Sequence, residues 1–213
     1  MSEPFIEIYS TIVGKSLGSS YLSQAEEQIA RERKQSQEYR FIRNWVRICL
    51  GQSLGVNPVK LEFDAGAHGK PYLKGVPLWF NLSHSKGVAY LAVSSFAEVG
   101  LDIETIHTRS NYLQLAKRFF HKNEIKVLEE MDTNSGERLF LKLWTIKEAL
   151  VKESGVGIGN KLNSIDALDF MQHPANWSFE DKKLQLYHKQ RESVLLSLVW
   201  RGSGDMKIID VKS

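Results

Sequence analysis

Three landmarks recur in this 213-residue chain at a nearly constant spacing. Leu22-Ser23-Gln24-Ala25-Glu26 is answered by Phe120-His121-Lys122-Asn123-Glu124, Phe41-Ile42-Arg43-Asn44-Trp45 by Phe140-Leu141-Lys142-Leu143-Trp144, and Gly55-Val56 by Gly155-Val156, at offsets of about 98, 99 and 100 residues. Such a repeat predicts two similar units, and two units are too few for a solenoid. The expected product is a pseudo-symmetric pair of lobes, residues 1–98 and 99–213, whose interface forms a cleft. Chance similarity between two amphipathic helices produces the same signal. With 42% hydrophobic residues, the chain has enough apolar side chains for two cores.

In the first unit, Phe5 to Val13 alternates like a strand and stops at Gly14. Ser23, with Glu26 three residues on, forms a capping box that starts a polar helix reaching Arg33 or beyond. A second helix is predicted from about Glu38 to Leu54, apolar at Phe41, Trp45, Ile48 and Cys49 and stopped by Gly55. Cys49 reads as a packed thiol, with a nucleophile as the alternative. Val59–Phe63 is expected as a short strand. Leu78–Leu82 and Val88–Val93 form two more, joined by a hairpin tip at Ser83-His84-Ser85-Lys86-Gly87. The second unit opens with the strand Val99–Glu104 and closes with strands over Leu184–Tyr187 and Ser193–Trp200.

Side chains alternate along a strand, so Asp102 and Glu104 share one face while Leu101 and Ile103 point the other way. In Trp144–Lys152 the helical period puts Glu148 and Lys152 one turn apart. Three carboxylates with a lysine suit a hard divalent cation meeting a phosphate. The same spacing describes an acidic strand face and a surface ion pair worth about 0.3–0.5 kcal/mol. Leu141 and Trp144 lie on the Glu148 face of the helix, however, and a partly buried charged face needs partners. Ser83 and His84 can bond phosphate oxygens, Lys70 is a cation whose approach Pro71 fixes, and Arg40 and Arg43 add positive charge. For Arg43 and Arg47, solvated surface charge is the favoured reading.

Other classes are excluded by what is missing. The sequence has no Walker loop, no Gly-x-Gly-x-x-Gly, no Cys-x-x-Cys and no His-Glu-x-x-His, which argues against nucleotide triphosphatases, dinucleotide enzymes and zinc sites. A net charge of +3 falls short of a nucleic-acid binder. No apolar run reaches membrane-spanning length, and the acidic start is unlike a signal peptide, so a cytoplasmic protein is expected.

Taken in order, Gly69-Lys70-Pro71, Phe80-Asn81-Leu82-Ser83-His84-Ser85, Gly100-Leu101-Asp102-Ile103-Glu104, Arg118-Phe119-Phe120 with Glu124, and Leu143 to Lys152 resemble the motifs of the Sfp-type 4′-phosphopantetheinyl transferases. They span most of residues 38 to 157. The resemblance implies an α+β fold of two pseudo-symmetric lobes, each a small antiparallel sheet packed with helices, with a coenzyme A cleft between them. It implies transfer of the phosphopantetheine arm of coenzyme A to a serine of an acyl, peptidyl or aryl carrier protein, with release of 3′,5′-ADP. By position Asp102, Glu104 and Glu148 would hold Mg²⁺, with Asp102 also on the cofactor side. Lys152 would stabilise or protonate the leaving group, His84 would hold a phosphate, and Glu148 is the candidate base. Lys70, Pro71, Ser83 and Arg40 would line the adenosine and 3′-phosphate side. His121 departs from the small residue that relatives carry, so a weaker helix cap is expected there.

Carrier proteins of this kind are acidic, and Lys117, Arg118, Lys122 and Lys126 could steer one; maintaining solubility is an equal reading. Two competing functions stay open: an Mg²⁺-dependent hydrolase of coenzyme A or a related diphosphate, and a non-catalytic coenzyme A or carrier-protein binding module. Pseudo-symmetry within one chain favours a monomer.

Overall fold

The structure, a computed structural model, describes residues 3–14, 17–107, 111–155, 162–174, 177–179, 181–202 and 207–212. Val156, the repeat partner of Val56, lies outside them. The first half of the chain runs β1 (Phe5–Ile12), α1 (Gln24–Glu32), α2 (Ser36–Leu54), β2 (Phe63–Ala65), β3 (Pro71–Leu73), β4 (Trp79–Ser85) and β5 (Val88–Ser94). The second runs β6 (Val99–Thr105), α3 (Tyr112–Phe119), α4 (Lys122–Glu130), α5 (Thr133–Ser154), α6 (Ala167–Gln172), β7 (Ser178–Phe179), β8 (Lys182–Arg191), β9 (Val194–Arg201) and β10 (Lys207–Lys212).

Two main sheets result, in the strand orders β10-β1-β5-β4 and β6-β9-β8-β7. They pack face to face: Ile6, Ile8, Tyr90 and Ala92 of the first meet Leu101, Ile103, Leu196 and Leu198 of the second. Each outer face carries its own helices, with Phe41, Trp45 and Leu50 over Phe80 and Leu91 on one side, and Phe140, Leu143 and Ile146 over Leu195 and Val199 on the other. The layers are therefore helix, sheet, sheet, helix, an α+β fold of two similar lobes. We propose that residues 1–98 and 99–213 correspond to these lobes in chain order, with one departure: β10 returns to the first sheet and runs parallel to β1.

The repeat has a physical core. In the first lobe Ser23 and Glu26 cap α1 reciprocally, and the same Glu26 pairs with Arg47 of α2. Arg47 also donates to the carbonyls of Pro58 and Leu61. In the second lobe His121 and Glu124 cap α4, Lys147 of α5 pairs with Glu124 at 2.8 Å, and Lys147 donates to the carbonyls of Leu162 and Ile165. In both lobes a capping glutamate is tied to a cation on the long helix and then to the segment that follows it. Gly55 and Gly155 end those long helices in the same left-handed conformation.

Several expectations are corrected. Arg47 is only 3% exposed, because the capping glutamate and two carbonyls satisfy its guanidinium, so it is no surface charge. His121 does cap α4, with Glu124 accepting from the His121 N–H at 2.7 Å, but its Nδ1 accepts from the Asn123 N–H only at 3.4 Å, in keeping with the weaker cap expected. Residues 58–60 form a 3₁₀ turn in place of a strand, started by Asn57 as cap and Pro58 at the first position, and the strand begins at Phe63. The hairpin is tighter than expected: Lys86 and Gly87 alone turn, both at positive φ, so Ser83, His84 and Ser85 stand on β4.

Glu124 and Lys147 are buried at 0% and 1% exposure, and burial pushes Glu124 up and Lys147 down from their ordinary pKa values despite their mutual attraction. Removing one partner strands the other charge. Lys147→Met should cost about 3–5 kcal/mol in urea unfolding, and a loss below about 1 kcal/mol would contradict this role for the pair.

Candidate functional site

The strand β6 lies at the edge of its sheet, and its outward N–H groups need acceptors. Side chains of β4 supply them. Leu101 N–H donates to Asn81 Oδ1 at 2.8 Å, Ile103 N–H to Ser83 Oγ at 3.2 Å, and Thr105 N–H to Ser85 Oγ at 3.5 Å. These three acceptors alternate along β4, so a single face of that strand closes the edge. The same hydroxyls then turn to the carboxylates: Ser83 donates to Asp102 Oδ1 at 2.9 Å and Ser85 to Glu104 Oε2 at 3.2 Å.

From the other side, α5 is brought close by Gly100, where a Cβ would collide with the Ala149 carbonyl and the Glu153 backbone. That approach delivers Lys152 to Asp102 Oδ1 at 2.6 Å and to Ser83 Oγ at 3.2 Å. Glu148, one turn earlier, is 8% exposed, and its buried Oε1 has no hydrogen-bond partner among the described residues. Burial chiefly, then the charge of Asp102, raises its carboxyl to about 7. Burial likewise raises Asp102, against the opposing pull of Lys152 and Ser83.

Ser83, His84, Ser85, Asp102, Glu104, Trp144, Glu148 and Lys152 line one cavity of about 430 Å³ between the lobes. All the expected catalytic and metal-ligating residues therefore converge. The donor set is carboxylate oxygen, which fits a hard cation such as Mg²⁺, and the unpartnered Glu148 oxygen suits a ligand. Among the described residues no three His, Cys, Asp or Glu side chains are close enough together to hold a metal. The carboxylates share a cavity without being drawn together, and Lys152 neutralises Asp102 within it.

The residues expected on the nucleotide side are dispersed. Exposed His84 stands 3.6 Å from Glu38 and lines both this cavity and a neighbouring one of about 470 Å³ with Arg33, Lys34, Tyr39 and Arg43. Arg33 and Lys34 escaped sequence reasoning, since their place beside His84 depends on how α1 meets α2. Arg40 turns instead to Glu27, at 3.0 Å. Lys70 donates to Glu98 Oε2 at 2.5 Å and to the carbonyls of Val99 and Glu153, bridging the lobes. With Pro71 it lines a third cavity of about 300 Å³. Cys49 takes no part: it is fully buried, and burial pushes its thiol up to about 12.

Residues 98–199 match the model of the 4′-phosphopantetheinyl transferase superfamily. The chain is 38% identical over 128 residues to the 4′-phosphopantetheinyl transferase HetI of Nostoc sp., covering 58% of this chain and 54% of that protein. It is 38% identical over 122 residues to the 4′-phosphopantetheinyl transferase AcpT of Salmonella typhimurium, covering 57% and 62%. To the 4′-phosphopantetheinyl transferase of Bacillus subtilis it is 32% identical over 120 residues, covering 56% and 52%. The chain thus spans between about half and just under two thirds of the length of these curated relatives.

An acid whose folded pKa lies above its unfolded value keeps its proton longer when folded, so stability falls as pH rises between the two and levels off above the folded one. For Glu148 that window runs from its ordinary 4.5 to about 7. In divalent-free buffer Glu148→Gln should exceed wild type in urea stability by about 2–3 kcal/mol at pH 8 and match it near pH 4. An equal difference at both pH values would contradict the assignment.

Proposed function

Because residues 98–199 match the model of the 4′-phosphopantetheinyl transferase superfamily, we propose that this chain transfers the phosphopantetheine arm of coenzyme A to a serine of an apo carrier protein. The observation that carries this reading is the buried, unpartnered Oε1 of Glu148, in a cavity shared with Asp102, Glu104 and Lys152 and walled by Ser83 and His84 of the other lobe.

Asp102, Glu104 and Glu148 are the residues that would hold Mg²⁺. Bound there, the ion supplies electrostatic stabilisation to the diphosphate oxygens. The serine oxygen forms a bond to the β-phosphorus, the bond from that phosphorus to the bridging oxygen breaks, and 3′,5′-ADP leaves with the electron pair. Lys152, already in the cavity, stabilises or protonates the departing oxygen. The serine proton passes to Glu148 directly or through water. A metal-bound carboxylate is a poor base, so a water between them reconciles the two roles. His84, exposed at the junction of two cavities, holds a phosphate oxygen. Lys70, Pro71, Ser83 and Arg40 belong to the nucleotide side in this reading, although Arg40 is paired with Glu27, and Arg43, which lines the cavity beside His84, is paired with Glu26 at 2.7 Å.

The partner is an acidic carrier domain. Arg118, Lys122 and Lys126 are the cations available to steer it, since Lys117 is engaged by Glu129 at 2.8 Å. A monomer in the cytoplasm completes the reading, without nucleic acid or membrane; no helix among the described residues is long and apolar enough to cross a bilayer.

Incubation with coenzyme A, Mg²⁺ and an apo carrier domain should add the mass of phosphopantetheine to the carrier serine. Coenzyme A consumed with no gain in carrier mass would replace the transferase by a hydrolase, and no turnover by a binding module. Asp102→Ala should lower turnover by about a hundredfold while the protein remains folded at the assay temperature; full activity in that variant would remove Asp102 from the metal set.

A further inference from the structure

Behind Asp102 runs a row of polar side chains that the proposed reaction does not use. Ser197 lies directly across from Asp102 in the β6–β9 ladder, and His188 directly across from Ser197 in the β8–β9 ladder. All three therefore share the sheet face that α5 covers. Ser197 Oγ is 2.8 Å from Thr145 Oγ1 of α5 and 2.9 Å from His188 Nδ1, and both hydroxyl residues are fully buried.

Counting protons gives the row a direction. Thr145 Oγ1 also lies 2.9 Å from the Lys142 carbonyl, which can only accept; with the threonine's single proton placed there, the threonine accepts from Ser197. The serine proton is committed there, and Ser197 can only accept from His188. Burial and the nearby Lys142 push His188 down to about 4, so its ring is neutral at pH 7. A neutral imidazole with its proton on Nδ1 leaves Nε2 bare. Thr145 stands three residues before Glu148, so the row ends one helical turn from the unpartnered carboxylate.

We propose that His188 is a positioning residue of this cleft: through Ser197 and Thr145 it sets the depth at which α5 presents Glu148 to the carboxylates of β6. The consequence for ion binding rests on the transferase reading above; the direction of the row does not. Losing the one donor that enters at β8 lets the two hydroxyls rearrange and α5 shift on the sheet. Outer groups that orient metal ligands in this way typically change metal affinity by about tenfold or more.

Two measurements test it. Nitrogen-15 spectra of histidine-labelled protein at pH 7 should show His188 protonated on Nδ1 with a bare Nε2; the opposite tautomer overturns the row. Mn²⁺ titration followed by electron paramagnetic resonance should show about tenfold weaker uptake in His188→Leu and near-wild-type uptake in His188→Asn, whose amide can donate in place of Nδ1. Ser197→Ala should match His188→Leu, and serves in its place if the leucine variant does not fold. Unchanged uptake in His188→Leu, or equal loss in the leucine and asparagine variants, overturns the positioning role. A wild-type protein that takes up no Mn²⁺, with the expected tautomer present, instead overturns the metal reading of the cleft.

Discussion

The site depends on how one sheet edge is closed. Without partners, the outward N–H groups of β6 would each carry the cost of an unmade hydrogen bond, about 1–3 kcal/mol when buried. Another strand could have satisfied them through its backbone. Here the acceptors are the side chains of Asn81, Ser83 and Ser85, which leaves β4 beside β6 without extending the second sheet. A backbone ladder would have had no hydroxyls to spare. Because the closure uses side chains, Ser83 can accept from Ile103 and Lys152 while donating to Asp102, and all of its bonding capacity is engaged at the site. The seam that joins the lobes is thereby also one wall of the cavity.

The opposite wall depends on Gly100. A side chain there would hold α5 off the sheet, and Lys152 could not reach Asp102. Bringing acids and a lysine together out of water has a cost, and it appears in the Glu148 carboxyl, which is driven up to about 7 and left with one oxygen unpartnered. The acid of the buried pair Glu26–Arg47 is held below its usual range; burial still raises the acid of Glu124–Lys147, but in both pairs the acid is fully partnered, because it also receives N–H donors of its own lobe. In both lobes an ion pair supported by neighbouring donors holds the helices, and at the junction an under-satisfied cluster remains for chemistry.

Much of this was legible in the sequence because it rests on local periodicity. Alternation placed Asp102 and Glu104 on one face, the helical period placed Glu148 with Lys152, and the offset of the caps marked two lobes. What escaped was set by distant contacts. Arg47 looked like surface charge because nothing local reveals that the capping Glu26, 21 positions away, turns back onto it. Ser83 and Ser85 looked like hairpin tip because no local pattern reveals that their pairing extends to Tyr90 and Val88, leaving two residues to turn. The parallel return of β10 to β1 joins opposite ends of the chain, which no local pattern encodes. Lys70 was legible as a cation with a fixed approach, yet its bonds to Glu98 and to two carbonyls across the lobes are tertiary facts.

The central claim is that the seam between β4 and β6, closed over by α5, is where a diphosphate is held and cleaved. A crystal structure of the protein with coenzyme A and Mg²⁺ tests it most directly. The account predicts the diphosphate between Ser83–His84 and Glu148, the ion on Asp102, Glu104 and Glu148, and the Lys152 ammonium drawn from Asp102 toward phosphate. Coenzyme A seated with its diphosphate outside this seam, with Lys152 still on Asp102 and no ion among the three carboxylates, would contradict it.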